Sequence, residues 1–328
     1  MIIAKTPLRV SYVGGGSDIS TFYKEHGGAV LSSTINAYIY IIVKRKFDKG
    51  IRLSYSKTEN VIKTSEIEHP LVRNALEMMN IKDDLEIVSI AEIPSYGTGL
   101  GSSSSFSVGL LNALSTFKKL LYGKEDLARM ACKLEIDLCK NPIGKQDQYA
   151  ASYGGLNLYR FHDDDSVSVE NIKIKKSIKN KINREILFFY VGGARDANLI
   201  LTDQKKMLRN NDKIIAMKKM VKLVDNLKNE FEGNDLSNFG NILHENWILK
   251  KEMSSQIANS YIDNLYSEAR LVGATGGKLL GAGGGGFMIF HAPTSEIRSS
   301  IRSKFIDLKE VDFNIEDTGT KILVLNRE

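Results

Sequence analysis

In the first half of the chain, apolar residues switch between a two-residue repeat and a three-to-four-residue repeat. Ala37 to Lys46 and Leu85 to Ile90 alternate and are rich in β-branched residues, which predicts strands. From Ser103 to Leu121 the apolar positions Phe106, Leu110, Leu114, Phe117 and Leu121 step by three and four, which predicts a helix with one buried face. Leu127, Ala131, Leu134 and Leu138 do the same between Lys124 and Lys140, and this places Glu135 beside the buried stripe rather than opposite it. Further on, Leu187 to Val191 reads as a short strand ending in Gly192-Gly193. A long amphipathic helix with a solvated, Lys-rich face is expected from about Asp203 to Phe231, broken near Gly233. Gly286 to His291 and Ile322 to Leu325 are expected to be strands flanking a helix from Ser295 to Phe305. The order of elements predicts an α+β protein without internal repeats.

Length, composition and charge narrow the picture. A chain of 328 residues is longer than one comfortable core, so two domains are expected, 1–180 and 181–328. The boundary falls in the polar stretch from His162 to Arg184, where Asp163, Asp164 and Asp165 give way to lysines. Within it, Lys173 to Arg184 intersperses Ile172, Ile174, Ile178 and Ile182 among lysines, a pattern expected of an exposed strand or loop edge. With 42% apolar and 26% charged residues the composition is that of a globular protein, which removes disordered and collagen-like readings. The formal charge of +6 is mild and spread along the chain, so nucleic acid is not an expected partner, though it suits phosphate ligands. No apolar run approaches a bilayer span, and Met1-Ile2-Ile3-Ala4-Lys5 carries no leader pattern. The expectation is a cytoplasmic protein, monomeric or homodimeric, with no membrane partner. Cys132 and Cys139 lie seven residues apart on one predicted helix, beyond disulfide reach, and are expected to be buried reduced thiols. The five histidines match no metal-ligand spacing.

Candidate chemistry lies in three glycine-rich segments. The segment Pro94-Ser95-Tyr96-Gly97-Thr98-Gly99-Leu100-Gly101-Ser102-Ser103-Ser104-Ser105 lies between a predicted strand and the start of a predicted helix. Glycines there let the backbone approach an anion, and the helix N-terminus offers it unpaired N–H groups and a positive dipole end. No Gly-Lys-Ser/Thr follows, and Ser102 stands where a dinucleotide fingerprint needs its last glycine, so neither familiar loop type fits. The second segment, Val13-Gly14-Gly15-Gly16-Ser17-Asp18, follows Pro7-Leu8-Arg9-Val10. The third, Gly276-Gly277-Lys278-Leu279-Leu280-Gly281-Ala282-Gly283-Gly284-Gly285-Gly286-Phe287, runs into an apolar strand. Three such loops suggest distant segments meeting around one phosphorylated ligand.

Asp147 stands in Asn141-Pro142-Ile143-Gly144-Lys145-Gln146-Asp147-Gln148, which reads as a Gly/Pro-bounded loop of the kind that places catalytic groups. Phosphoryl transfer needs few parts: a carboxylate for the attacking hydroxyl, cations for the oxygens, and Mg²⁺ between phosphates.

These four segments, in this order, resemble the GHMP small-molecule kinases, which include galactokinase and the homoserine, mevalonate and phosphomevalonate kinases. Within that family the chain, roughly from residue 3 to residue 292, is most similar to the bacterial D-glycero-D-manno-heptose 7-phosphate kinases. The resemblance implies an N-terminal α+β domain with a left-handed β-α-β phosphate-binding unit, a C-terminal ferredoxin-like domain, and ATP and sugar bound between them. It implies that Asp147 orients or deprotonates the acceptor hydroxyl and that Arg9 stabilises the developing oxyanion charge. The nucleotide is then expected on Pro94, Gly97, Thr98, Gly99, Leu100, Gly101, Ser102, Ser103, Ser104 and Ser105, and Mg²⁺ on Ser103 and Glu135. The sugar is expected against Gly15, Gly16, Ser17, Asp18, Gly283 and Gly284, with Lys145 or Arg195 for a substrate phosphate. Galactokinase has Glu-His-Thr where this chain has Gly15-Gly16-Ser17, which widens the pocket and suits a heptose. The implied reaction is phosphorylation of the anomeric hydroxyl of heptose 7-phosphate to the 1,7-bisphosphate, on a route to nucleotide-activated heptose. A kinase for free fucose or galactose, and a non-catalytic sugar and nucleotide sensor, stand as the alternatives.

Overall fold

The computed structural model describes all residues except 83, 95, 96, 194–196, 209 and 326–328. The first strand, β1 (Ile2–Val13), sets the frame: its first residues alternate between buried and half-buried, and from Thr6 onward every residue is buried. A strand covered on both faces must be enclosed by other elements, and β1 is. It pairs antiparallel with β2 (Gly28–Arg45) along almost its whole length, with a register shift after Pro7, which has no N–H to donate. Around this pair stand β3 (Ile51–Ser54), β4 (Thr58–Val61), β5 (Leu85–Ala91), β6 (Leu156–Phe161) and β7 (Val167–Asn171), in the order β1-β2-β5-β3-β4, with β6 pairing β2 and β7.

A second, four-stranded antiparallel sheet holds β8 (Ile186–Gly192), β9 (Gly276–Leu279), β10 (Gly286–His291) and β11 (Lys309–Glu310), in the order β11-β8-β10-β9. With helices between its first and second strands and between its third and fourth, this is the β-α-β-β-α-β arrangement of a ferredoxin-like unit. The last strand, β12 (Lys321–Leu325), crosses back to pair with β1.

One apolar core runs through both sheets. Tyr12 near the end of β1 makes edge-on ring contacts with Phe231 and Phe239, which belong to the helices Asn211–Glu232 and Phe239–Glu252. The second of these helices buries Trp247 completely and packs on β9 and β1. The carboxyl end of β1 is thereby surrounded by all three glycine-rich segments.

Several expected elements differ in detail. The helix predicted from Ser103 to Leu121 spans Ser102–Phe117, and Leu121 is 98% exposed rather than part of the buried stripe; Lys119, at φ 59°, turns the chain out of the helix. The helix expected over Lys124 to Lys140 is α-helical only to Cys132 and continues as a π-helix over Lys133–Leu138. The wider turn shifts the buried stripe, so Glu135 is fully buried and Leu138 is exposed. Cys139 is half-buried, not buried, and both cysteines are free. Most of Lys173 to Arg184 lies in the helix Lys176–Glu185, not an exposed strand, because Ile178 and Ile182 are four apart and share a helix face. The long helix expected from Asp203 to Phe231 is two, Ala197–Met207 and Asn211–Glu232, where Asn210 caps the second by accepting from the Asp212 N–H at 2.8 Å. The sequence reading places no element between Gly233 and Gly276, where the structure also has the helix Ser260–Leu271.

Candidate active site

Asp147 is not on a loop: it stands in the first turn of the helix Gln146–Tyr153. Three consecutive residues there point about 100° apart, and each takes a partner from a different segment. Gln146 donates to Asp18 through its backbone N–H (3.1 Å) and side-chain amide (3.2 Å). Asp147 accepts from Arg9 of β1, and Gln148 donates 2.9 Å to Glu135 of the π-helix. One helix end thus fastens together Arg9, Asp18 and Glu135. The approach is close: a methyl group on Gly144 would lie 2.0 Å from the Asp18 carboxylate, so no larger residue fits there.

The Arg9–Asp147 pair is two-pronged. Nε donates to Oδ1 at 2.6 Å and Nη2 to Oδ2 at 2.7 Å, while Nη1 donates to the Gly99 carbonyl at 2.6 Å. A guanidinium locked into this fork cannot rotate, and it ties the carboxylate to the glycine loop. Gly101, at φ 72°, brings that loop against the pair; a methyl group there would sit 3.2 Å from Asp147 Oδ2.

Gly97, Gly99 and Gly101 all take left-handed φ values of 71–73°, and Thr98 Oγ1 and Ser102 Oγ lie 3.0 Å apart across the loop. The helix Ser102–Phe117 begins directly after it, so its free N–H groups face the cavity: an anion cradle. Ser103 Oγ donates 2.8 Å to Glu135 Oε2. Burial pushes the Glu135 carboxyl up to about 7, against the hydrogen bonds from Ser103, Ser104 and Gln148. A carboxylate and a hydroxyl beside a phosphate cradle are the hard oxygen donors Mg²⁺ favours when phosphates and water complete its shell, so these two residues fit that ion. Among the described residues no group of three or more His, Cys, Asp or Glu could hold a metal.

A cavity of about 300 Å³ joins these groups. Of the residues expected at the site, Arg9, Gly15, Gly16, Asp18, Gly97, Thr98, Gly99, Gly101, Ser102, Ser103, Ser104, Glu135, Asp147 and Gly283 line it. Others face elsewhere. Pro94 is exposed and Leu100 is in the core. Ser105 donates to the Pro7 carbonyl, Ser17 bonds the Ala29 backbone, and the Gly284 N–H donates to the Ile257 carbonyl. Lys145 does not line the cavity; its ammonium donates to Asp165 (carbonyl 2.9 Å, Oδ1 3.0 Å) over the Tyr23 ring. Ser95, Tyr96 and Arg195 lie outside the described residues.

Asp18 is almost fully buried, and burial raises its pKa, partly offset by hydrogen bonds from Gln146 and Gly16, with the nearby charge of Asp147 adding to the rise. Two cationic residues of the cavity are not among those expected at the site from the sequence. Lys250, on the helix Phe239–Glu252, donates to the Gly15 carbonyl (3.2 Å) and Gln204 Oε1 (3.0 Å). Lys278, on β9, donates to the carbonyls of Ser11 (2.9 Å) and Tyr12 (3.1 Å). Burial lowers Lys250 to about 8, and burial together with the charges of Lys250 and Arg9 lowers Lys278 to about 7. A lone lysine inside a glycine-rich apolar strand was the signal for Lys278; Lys250, in the last turn of its helix beside Lys251, looks like an ordinary helix-end cation.

The sequence profile described as GHMP kinases N terminal domain matches residues 69–155, and that described as GHMP kinases C terminal matches residues 222–307. A D-glycero-alpha-D-manno-heptose 7-phosphate kinase of Campylobacter jejuni subsp. jejuni serotype O:2 is 28% identical over 333 residues, 98% of each chain. Among solved structures, a D-glycero-D-manno-heptose 1-phosphate kinase from Bacteriodes thetaiotaomicron superposes over the full length of both chains with a TM-score of 0.82 at 24% identity, a likeness of fold. A second solved structure, of a Campylobacter jejuni protein, covers 98% of both chains with a TM-score of 0.78 at 25% identity. Among the described residues no helix is long and apolar enough to cross a membrane.

Proposed function

The chain belongs to the GHMP kinases and is a sugar kinase that uses ATP, and from that premise we propose that it phosphorylates the anomeric hydroxyl of D-glycero-D-manno-heptose 7-phosphate. The observation that carries the reading is the meeting of a forked Arg9–Asp147 pair with the glycine-rich anion cradle in one cavity. The acceptor oxygen attacks the terminal phosphorus of ATP, forming the new O–P bond as the bond to ADP breaks, and Asp147 takes the hydroxyl proton. Arg9 balances negative charge growing on the oxygens, and the cradle N–H groups hold the nucleotide phosphates. Ser103 and Glu135 would hold Mg²⁺, which would neutralise charge on the phosphates. Asp18, fixed by Gln146 and Gly16, faces the sugar.

The choice of heptose rests on the similarity to the Campylobacter kinase over almost the whole chain; the space beside Gly15 and Gly16 is taken up by Ser11, Gln146, Lys250 and Met217 rather than left open. A panel of heptose 7-phosphate, free heptose, fucose and galactose, read by ADP release, tests it. The expected result is the highest kcat/KM with heptose 7-phosphate and a product whose phosphorus spectrum shows phosphates on C1 and C7. Turnover with a free sugar and none with heptose 7-phosphate would overturn the substrate assignment.

A further inference from the structure

Lys250 and Lys278 are among the most buried ionisable groups in the protein, 6% and 5% exposed. Buried ammonium groups are normally matched by a carboxylate, because desolvation is otherwise uncompensated. Here both bond only to neutral oxygens, and among the described residues neither has a carboxylate at ion-pair distance. Asp18 acts on Lys250 through its charge, yet its oxygens accept from the Gly16 N–H and from Gln146. An ammonium has three donors; each lysine uses two on the protein, and both line the cavity.

The wall beside them carries more unmet capacity. Ser11 Oγ and Gln146 Oε1 are buried without a hydrogen-bond partner, and both residues line the same cavity. Ser11 is 5% exposed. Gly15 lies between these two side chains, since a methyl group on it would come within 3.3 Å of Ser11 Oγ and 3.6 Å of the Gln146 amide. Gly16 lies against Lys250, where a methyl group would be 3.2 Å from Nζ. Neither lysine bonds to the loop from Gly97 to Ser105; both reach the Ser11–Gly16 segment, which runs into Asp18.

We infer that Lys250 and Lys278 form a built anion site that holds the acceptor's own phosphate, with Ser11 and Gln146 taking its hydroxyls. This makes the two lysines specificity-determining residues for a phosphorylated sugar. The inference rests on the kinase reading for its acceptor, but it can be measured without turnover.

The test is calorimetric binding of heptose 7-phosphate, free heptose and inorganic phosphate to the intact protein without ATP, followed by steady-state kinetics. On the wild type, heptose 7-phosphate is expected to bind on the order of 10²-fold more tightly than free heptose, as a hydrogen-bonded charge contact implies, and inorganic phosphate should compete with it. Equal binding of the two sugars by the wild type would overturn the inference before any variant is made. Lys250→Met and Lys278→Met should each lose most of that preference, raising KM for the sugar phosphate on the order of 10²-fold with kcat within a few-fold, and Lys→Arg should recover part of it. Retained preference in both variants would overturn the inference. So would a loss confined to kcat or to ATP affinity, since the lysines would then serve the transferred phosphoryl group. If heptose 7-phosphate binds as described but yields no ADP, the substrate reading fails while the anion site stands.

Discussion

Asp147→Asn is expected to lower kcat by about 10²–10⁴-fold, the usual contribution of a positioned acid or base, with ATP affinity changed only a few-fold. The substitution is nearly isosteric, so the helix Gln146–Tyr153 and its clamps on Asp18 and Glu135 remain. What changes is the group that accepts the hydroxyl proton, because a neutral amide cannot take it. The amide NH₂ also faces an Arg9 nitrogen at one of the two prongs, so part of the fork is lost. Single-turnover measurement of ADP formation with saturating acceptor separates the chemical step from product release. Wild-type rates in that assay would remove Asp147 from the reaction.

Arg9→Ala has the second large effect, and it should be felt in both rate and stability. Arg9 is 4% exposed and gives three charged hydrogen bonds, two to Asp147 and one to the Gly99 carbonyl. Removing it leaves the carboxylate without its partner and frees the loop that holds the phosphates. A drop in kcat of about 10²–10³-fold is expected from lost charge stabilisation alone, and the thermal midpoint should fall, since one side of a largely buried pair is removed. Arg9→Lys keeps the charge but not the fork, so it should regain only a small part of the rate. Because Arg9 and Asp147 act as one unit, the double variant Arg9→Ala, Asp147→Asn should be hardly slower than the worse single variant. Losses that multiply would mean that the two residues work independently.

The sequence made the ends of the site legible and left its floor hidden. The alternate glycines from Gly97 to Gly101 have one physical reading, since left-handed backbone before a helix N-terminus makes an anion cradle, and the structure has that geometry. Glu135 was visible only as a charge at the edge of an apolar stripe. The π-helical turn that buries it depends on tertiary packing, which periodicity does not record. Asp147 read as a loop residue because Pro142 and Gly144 mask a helix that starts only at Gln146. Lys145 was the reverse case: its neighbours pointed to the site, but its ammonium is held by Asp165, a residue with no sequence signal linking the two. Lys250 comes from a stretch with no motif, and Lys278 sits inside the third glycine-rich segment, where the glycines and not the lysine carry the expectation. Among 45 Lys and Arg residues a buried lysine looks like any other until the fold closes over it.

Phosphoryl transfer at this site requires distant segments to form a single crevice in which Asp147 meets the end of a bound nucleotide. The most direct measurement is a crystal structure with a non-hydrolysable ATP analogue, Mg²⁺ and the sugar phosphate. The β- and γ-phosphates are expected on the Gly97–Ser104 loop, with an acceptor oxygen within about 2.6–3.2 Å of Asp147, in line with the terminal phosphorus. A nucleotide seated outside this cavity, with Asp147 remote from its last phosphorus, would contradict that arrangement.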